Sequence, residues 1–323
     1  MVARESAEAL DLMSKSAFVF PGQGSQYVGM VKDLSQQNAE ARRLVEMADE
    51  VLGFPLSTIC FEGPEEELRQ TKNTQPAIFL HSVVLSKLYG GPAAAMAAGH
   101  SLGEYSALVY ADALTFQDGL KIVRLRGELM QQAGVEQQGT MAAVVGLEPR
   151  VIQHVCDEAS VAGVVQAANF NSPGQIVISG SVNGVRRAME IAKTRGAKLV
   201  KELPVSGAFH SPLMEAARNG LKRALDSTEI RDAKIPIYAN VTARPVQKAS
   251  DIRDLLFQQL TSPVRWEESI LNMVSDGATD FLEIGPGKVL QRLVKRIAPP
   301  AKVQGIDKYA DLATGLQDGI KAT

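Results

Sequence analysis

Ser101 stands in Gly99-His100-Ser101-Leu102-Gly103, a G-x-S-x-G pentapeptide, and a serine in that setting is a candidate nucleophile for acyl transfer. Its hydroxyl is a weak nucleophile and needs a base to take the proton. Of the four histidines, His81 lies on an apolar helical pattern, His154 on a surface-like one, and His100 beside Ser101 with a side chain expected to turn away from it. His210 is the candidate base, because Val205-Ser206-Gly207-Ala208-Phe209-His210-Ser211-Pro212 reads as a loop opening into a helix. A third group usually holds such an imidazole in the right tautomer. The aspartates between the two residues are Asp112, Asp118 and Asp157, and none closes a strand in the usual position, which leaves an amide or a backbone carbonyl as the orienting group.

Arg126 is the candidate anion binder. It lies in Arg124-Leu125-Arg126-Gly127-Glu128, where apolar Ile122, Val123, Leu129 and Met130 turn one arginine of the pair inward. A buried guanidinium requires an anion. Sequence alone favours a salt bridge to one of the chain's own carboxylates; the functional alternative is bidentate capture of a substrate carboxylate. In Pro21-Gly22-Gln23-Gly24-Ser25-Gln26, the Gln23 N–H can join that of Leu102 as an oxyanion hole, or the segment is simply a glycine-rich turn. Gly285-Pro286-Gly287-Lys288 reads as a turn ending a strand rather than a phosphate nest.

The elements that must hold these residues follow from apolar periodicity. A strand over 93–98, a tight turn at Ser101 and a helix over 102–110 put the hydroxyl at a helix N-terminus, with Gly99 and Gly103 removing side chains that would clash. A first strand at 17–20, helices over 29–52 and 75–88, and a late strand at 279–284 alternate as in a parallel sheet covered on both faces. From Gly139 the order is strand (141–146), helix (149–159), strand (164–168), loop (169–174), strand (175–179), helix (182–195), strand (198–203), a β-α-β-β-α-β unit of ferredoxin-like type. The division expected is a leader or N-terminal extension at 1–16, a core formed by 17–132 and 207–323, and an insert at 133–206. Helices are expected near 212–225, 252–260 and 288–297.

Composition bounds the function. Apolar content of 45% and charged content of 22% over 323 residues describe an ordinary globular chain. A net charge of −2 argues against nucleic acid as the main partner. Cys60 and Cys156 suggest neither a zinc site nor a disulfide framework. The acidic residues in 1–16 argue against a secretory or transit signal, and the uncharged stretch 88–103 is too short to span a bilayer, so a cytoplasmic protein without membrane contact is expected.

Taken together, Phe20-Pro21-Gly22-Gln23-Gly24-Ser25-Gln26, Thr74-Gln75-Pro76-Ala77, Gly99-His100-Ser101-Leu102-Gly103-Glu104, Arg126-Gly127, Asn169-Phe170-Asn171-Ser172-Pro173-Gly174-Gln175, Gly207-Ala208-Phe209-His210-Ser211-Pro212 and Glu283-Ile284-Gly285-Pro286-Gly287 resemble the malonyl-CoA:acyl carrier protein transacylases of type II fatty acid synthesis. The resemblance runs from about 17 to about 307. It implies an α/β fold, an α/β-hydrolase-like core with a parallel sheet plus an inserted ferredoxin-like (βαββαβ) subdomain. It also implies roles: Ser101 as nucleophile, His210 as base, Arg126 on the malonyl carboxylate, the N–H groups of Gln23 and Leu102 as oxyanion hole, and the main-chain carbonyl of Gln259 orienting His210. His100, Asn169 and Phe209 fall in the substrate pocket, and Phe209 matches relatives selective for malonyl over methylmalonyl. The implied reaction moves malonyl from malonyl-CoA to the phosphopantetheine thiol of an acyl carrier protein, with no cofactor or metal, in a chain expected to act as a monomer. Acidic carrier proteins would meet a basic patch, for which Lys288, Arg292, Lys295, Arg296, Lys302 and Lys308 are candidates, with Lys198 and Lys201. The alternatives are a trans-acting malonyltransferase of a polyketide pathway, a malonate decarboxylase subunit, a serine hydrolase on the same core, and a scaffold without catalysis.

Overall fold

A computed structural model describes residues 15–313; the expected extension lies outside the described residues except for Lys15 and Ser16. Those two already belong to the first strand, β1 (Lys15–Phe20), so the regular fold starts earlier than the sequence pattern suggests. β1 has an apolar run, Ala17 to Phe20, that is buried on both faces, as a strand inside a parallel sheet must be. It lies between β2 (Met96–Gly99) and β9 (Ala278–Ile284), and both pairings are parallel. β10 (Lys302–Ile306) extends one edge, while β7 (Ile237–Tyr238) and the antiparallel β8 (Pro245–Val246) extend the other, giving the order β10-β9-β1-β2-β7-β8. The elbow strand is shorter than the expected 93–98 span. Residues 93–95 precede the β1–β2 ladder, which runs from Ala17 with Met96 to Phe20 with Gly99.

The second sheet holds β3 (Gly139–Val145), β4 (Val165–Ser172), β5 (Gln175–Ser181) and β6 (Leu199–Glu202) in the antiparallel order β4-β5-β3-β6. Its two helices, Pro149–Ala159 and Val182–Thr194, connect β3 to β4 and β5 to β6, which completes the β-α-β-β-α-β order of a ferredoxin-like unit. Cys156 packs in this unit's own apolar core, and Cys60 in that of the large sheet. The expected loop over 169–174 is instead mostly strand: β4 continues to Ser172 and only Pro173-Gly174 turns. Its irregularity survives as a register shift between Ala167 and Asn169. There β4 leaves its partner briefly and bonds the core, Phe170 N–H donating to Val264 O (2.9 Å) and Val264 N–H to Ala168 O (2.8 Å).

Two helical expectations divide differently. The pattern over 29–52 is two helices, Lys32–Gln37 and Ala39–Leu52, because Asn38 takes an extended conformation and its side chain caps the N–H groups of Glu40 and Ala41. The helix expected at 75–88 begins at Thr71 and carries Pro76 inside it. Proline has no N–H for the carbonyl four residues back, that of Lys72. Arg124 Nη1 donates to that carbonyl at 2.9 Å, which explains why this arginine of the 124/126 pair faces away from the site.

Candidate active site

The elbow is built by close approach. A Cβ at Gly99 would sit 1.9 Å from the Gly103 carbonyl carbon, and one at Gly103 would sit 2.0 Å from the Phe20 oxygen. Only hydrogen fits at either position. Between them Ser101 has φ 52°, the left-handed region, and His210 has φ 56°. Such backbone costs on the order of 1 kcal/mol or more for a residue with a side chain and persists only where its surroundings over-determine it. At Ser101 the surroundings are Asn240, whose Oδ1 accepts the Ser101 N–H (2.6 Å) and whose Nδ2 donates to Gly99 O (2.7 Å). Around His210, Ser211 caps the following turn through its hydroxyl, and Gln166 of β4 donates to the His210 carbonyl (2.8 Å).

Ser101 Oγ lies 2.9 Å from His210 Nε2, and His210 Nδ1 lies 2.9 Å from the main-chain oxygen of Gln259. A carbonyl only accepts, so Nδ1 carries the hydrogen and Nε2 presents its lone pair to the serine hydroxyl. The orienting group is thus a carbonyl, as the lack of a suitable aspartate implied. It brings no charge to stabilise an imidazolium. Burial, and then the charge of Arg126, push His210 down to about 3.

Arg126, on the helix Phe116–Glu136, is 1% exposed. The expected internal salt bridge is not made: its partners are Gln75 Oε1 (2.8 Å, from Nη1), Gln259 Oε1 (2.9 Å) and Ser101 Oγ (3.1 Å), both from Nη2. Its Nε is buried without a partner among the described residues. The guanidinium therefore reaches the Ser101 hydroxyl and keeps donors for a guest anion. Glu104, three residues past Ser101, is also buried; its Oε2 accepts the Asn240 N–H (2.9 Å) and Gln259 Nε2 (3.0 Å). Burial raises Glu104 to about 7, against the opposing pull of those donors and of Arg126.

A cavity of about 220 Å³ opens over these groups. Gln23, Leu102, Asn169 and Phe209 line it, and neither the Gln23 nor the Leu102 N–H has a protein acceptor among the described residues. Both are therefore available to a ligand oxygen beside Ser101. His100 lines the cavity too, although its ring is turned to Asn171, with Nε2 donating to Oδ1 at 2.9 Å, and lies against Trp266. Of the remaining histidines, His81 is buried structurally, its Nδ1 accepting from Val31 N–H, and His154 is exposed. The Gly285-Pro286-Gly287 segment is a turn, and Glu283 before it caps the helix Val289–Ile297 by accepting from Leu290 and Gln291 N–H.

Six side chains that position this site have no role in the sequence analysis: Gln75, Glu104, Gln166, Asn171, Ser211 and Asn240. Glu104 was detectable as a lone charge in an otherwise apolar helix, Gly103–Tyr110. Asn240 leaves no such trace, since its partners are 139 and 141 residues away.

Known proteins give the same outline. The model of the acyl transferase domain matches residues 17–312. The chain is 49% identical over 288 residues to the malonyl CoA-acyl carrier protein transacylase of Bacillus subtilis (88% of this chain, 91% of that protein). It is 41% identical over 308 residues to the one from Escherichia coli K12 (94% and 100%). Among solved structures, the malonyl CoA-acyl carrier protein transacylase of Coxiella burnetii superposes with TM-score 0.92 at 39% identity (95% and 98%). A malonyl-transacylase in complex with its type II PKS acyl-carrier protein superposes with TM-score 0.91 at 40% identity (94% and 100%).

Proposed function

We infer, since the chain belongs to the acyl transferase domain family, that it moves a malonyl group from malonyl-CoA to the phosphopantetheine thiol of an acyl carrier protein through an ester on Ser101. One observation carries the reading: Ser101 Oγ is within hydrogen-bond distance of both a base, His210 Nε2, and a guanidinium, Arg126 Nη2. In a malonyl thioester the carboxylate is one methylene from the carbonyl under attack. The anion binder must therefore stand beside the nucleophile.

The chemistry follows from these positions. Ser101 Oγ attacks the thioester carbonyl while His210 Nε2 takes its proton, and the N–H groups of Gln23 and Leu102 receive the oxyanion. The C–S bond breaks and CoA leaves as a thiol with the proton from His210. The carrier's thiol then gives its proton to His210, attacks the same ester, and Ser101 regains its hydrogen. Thioester becomes ester and then thioester again, a route that calls for no cofactor. Arg126 anchors the acyl group by its carboxylate, and the substrate's charge in turn offsets the field that depresses His210.

The helix Val289–Ile297 turns Leu290 and Leu293 inward, where both line the cavity, while Lys288 just before it and Arg292, Lys295 and Arg296 on it are exposed. We assign the acidic carrier protein to this face. All the site's groups come from one chain, so a monomer suffices, and we assign the reaction to the cytoplasm and to fatty acid elongation. No helix among the described residues is long and apolar enough to cross a membrane.

Intact-mass measurement after mixing with malonyl-CoA tests the reading. A malonyl adduct is expected on the wild type and not on Ser101→Ala; an unmodified wild type would sink the proposal. Adding a fatty-acid or a polyketide carrier protein separates the two pathways, and free malonate released faster than either is loaded would identify a hydrolase instead.

A further inference from the structure

Arg126 and Glu104 are both buried, carry opposite charges once Glu104 is ionised, and do not touch. One amide stands between them. Gln259 Oε1 accepts from Arg126 Nη2 at 2.9 Å and its Nε2 donates to Glu104 Oε2 at 3.0 Å. The orientation of that amide is enforced, because Arg126 can only donate and the Glu104 carboxylate can only accept. A second acceptor, the Ser101 carbonyl at 3.1 Å, holds the same Nε2. Flipping the amide would set donor against donor on one side and acceptor against acceptor on the other.

A buried cation demands a counter-charge, and the usual answer is direct contact. Direct contact here would occupy the guanidinium donors that a substrate carboxylate needs. Setting the anion one amide away balances the charge of the empty site and keeps that seat open. We propose that Glu104 is the counter-ion of Arg126, relayed through the Gln259 side chain, and that it limits how tightly the site holds a substrate carboxylate. This rests on the malonyl reading above. Its consequence lies in turnover: an acyl group gripped too strongly through its carboxylate favours the waiting ester over the transition state for the second transfer.

The test is Glu104→Gln, assayed about one pH unit above the value of about 7 to which burial raises Glu104, so that the wild-type side chain is ionised. A glutamine oxygen can take the place of Oε2 and keep both accepted hydrogen bonds, so the substitution removes charge and little else. KM for malonyl-CoA is expected to fall on the order of tenfold, the effect of deleting a unit charge at this range in a partly screened interior. The KM of any acetyl-CoA loading should stay within about twofold, since acetyl carries no carboxylate to feel the change. A malonyl KM that is unchanged or raised, or malonyl and acetyl moving together, overturns the proposal. Should Glu104→Gln fail to fold, Glu104→Asp decides instead. It keeps the charge, so the malonyl-to-acetyl ratio should match the wild type even where kcat drops; a ratio raised tenfold refutes the idea. The comparison is read only once the wild type forms its malonyl adduct, which keeps its failure distinct from failure of the malonyl reading.

Discussion

Lowering the pH through the range in which an ordinary histidine protonates should not slow acylation of this protein; protonation of Glu104 below about 7 acts the other way, tightening the hold on malonyl. His210 is 3% exposed, with only a carbonyl to hold Nδ1 and the Arg126 charge close by, and these move it from 6.5 to about 3. At about pH 5 an unperturbed imidazole would be roughly 3% neutral, and kcat/KM for malonyl-CoA would have fallen about thirtyfold from its plateau. With the shift, nearly all of the base remains available. Rapid-quench measurement of malonyl-enzyme formation at subsaturating malonyl-CoA, from about pH 8 down to about pH 5, reads the free enzyme directly. An inflection near 6.5 with a thirtyfold loss would refute the burial argument. The same shift has a signed consequence for stability. The folded pKa lies below the unfolded one, so the folded state binds fewer protons between them. Stability is complete above about 6.5 and is lost as pH falls toward about 3, by a total of order 5 kcal/mol. Denaturation of His210→Ala should accordingly depend less on pH across that window than the wild type does.

Other substitutions probe separate parts of the site. Arg126→Ala removes charge-assisted hydrogen bonds to the substrate carboxylate and should lower kcat/KM for malonyl loading by about a hundredfold or more, with a much smaller change for acetyl; equal losses would show that Arg126 does not select the acyl group. Gly103→Ala places a Cβ 2.0 Å from the Phe20 oxygen, inside a parallel ladder that has no room to shift, and should lower stability by about 3 kcal/mol; an unaltered melting temperature would contradict the packing account of the elbow. Charge reversal at Arg292 and Arg296 should raise KM for the carrier protein about tenfold at low salt, with the difference shrinking as salt is added; an unchanged KM at low salt would move the docking face elsewhere.

Much of this molecule is legible in the sequence where the controlling physics is local. Gly99 and Gly103 flank Ser101 because a strand-to-helix turn of that sharpness leaves no space for a Cβ, and the spacing alone says so. Alternating apolar segments likewise announce the β-α-β-β-α-β unit, since each strand and helix shows its buried face in its own period. Local patterns mislead where one residue redirects the chain: Asn38 splits a continuous helical pattern by capping its second half, and the polar Asn169-Phe170-Asn171 segment, loop-like in composition, is held in a strand by β5 and by Val264.

Sequence by itself determined the candidate nucleophile, the candidate base and the need for an anion near Arg126. It also implied, by the lack of a suitable aspartate, that a neutral group orients His210. Only the tertiary structure decided what meets what. Ser101 and His210 are 109 residues apart, Arg126 and Gln259 are 133, and Gln259 and Glu104 are 155. Short-range rules of turns, caps and periodicity say which groups a segment offers but not which distant segment faces it. The expected carboxylate partner of Arg126 therefore proved to be two amides and a hydroxyl, because a residue's burial is partly encoded in its neighbours while the identity of its long-range partners emerges only from how the two sheets and their helices close on one another.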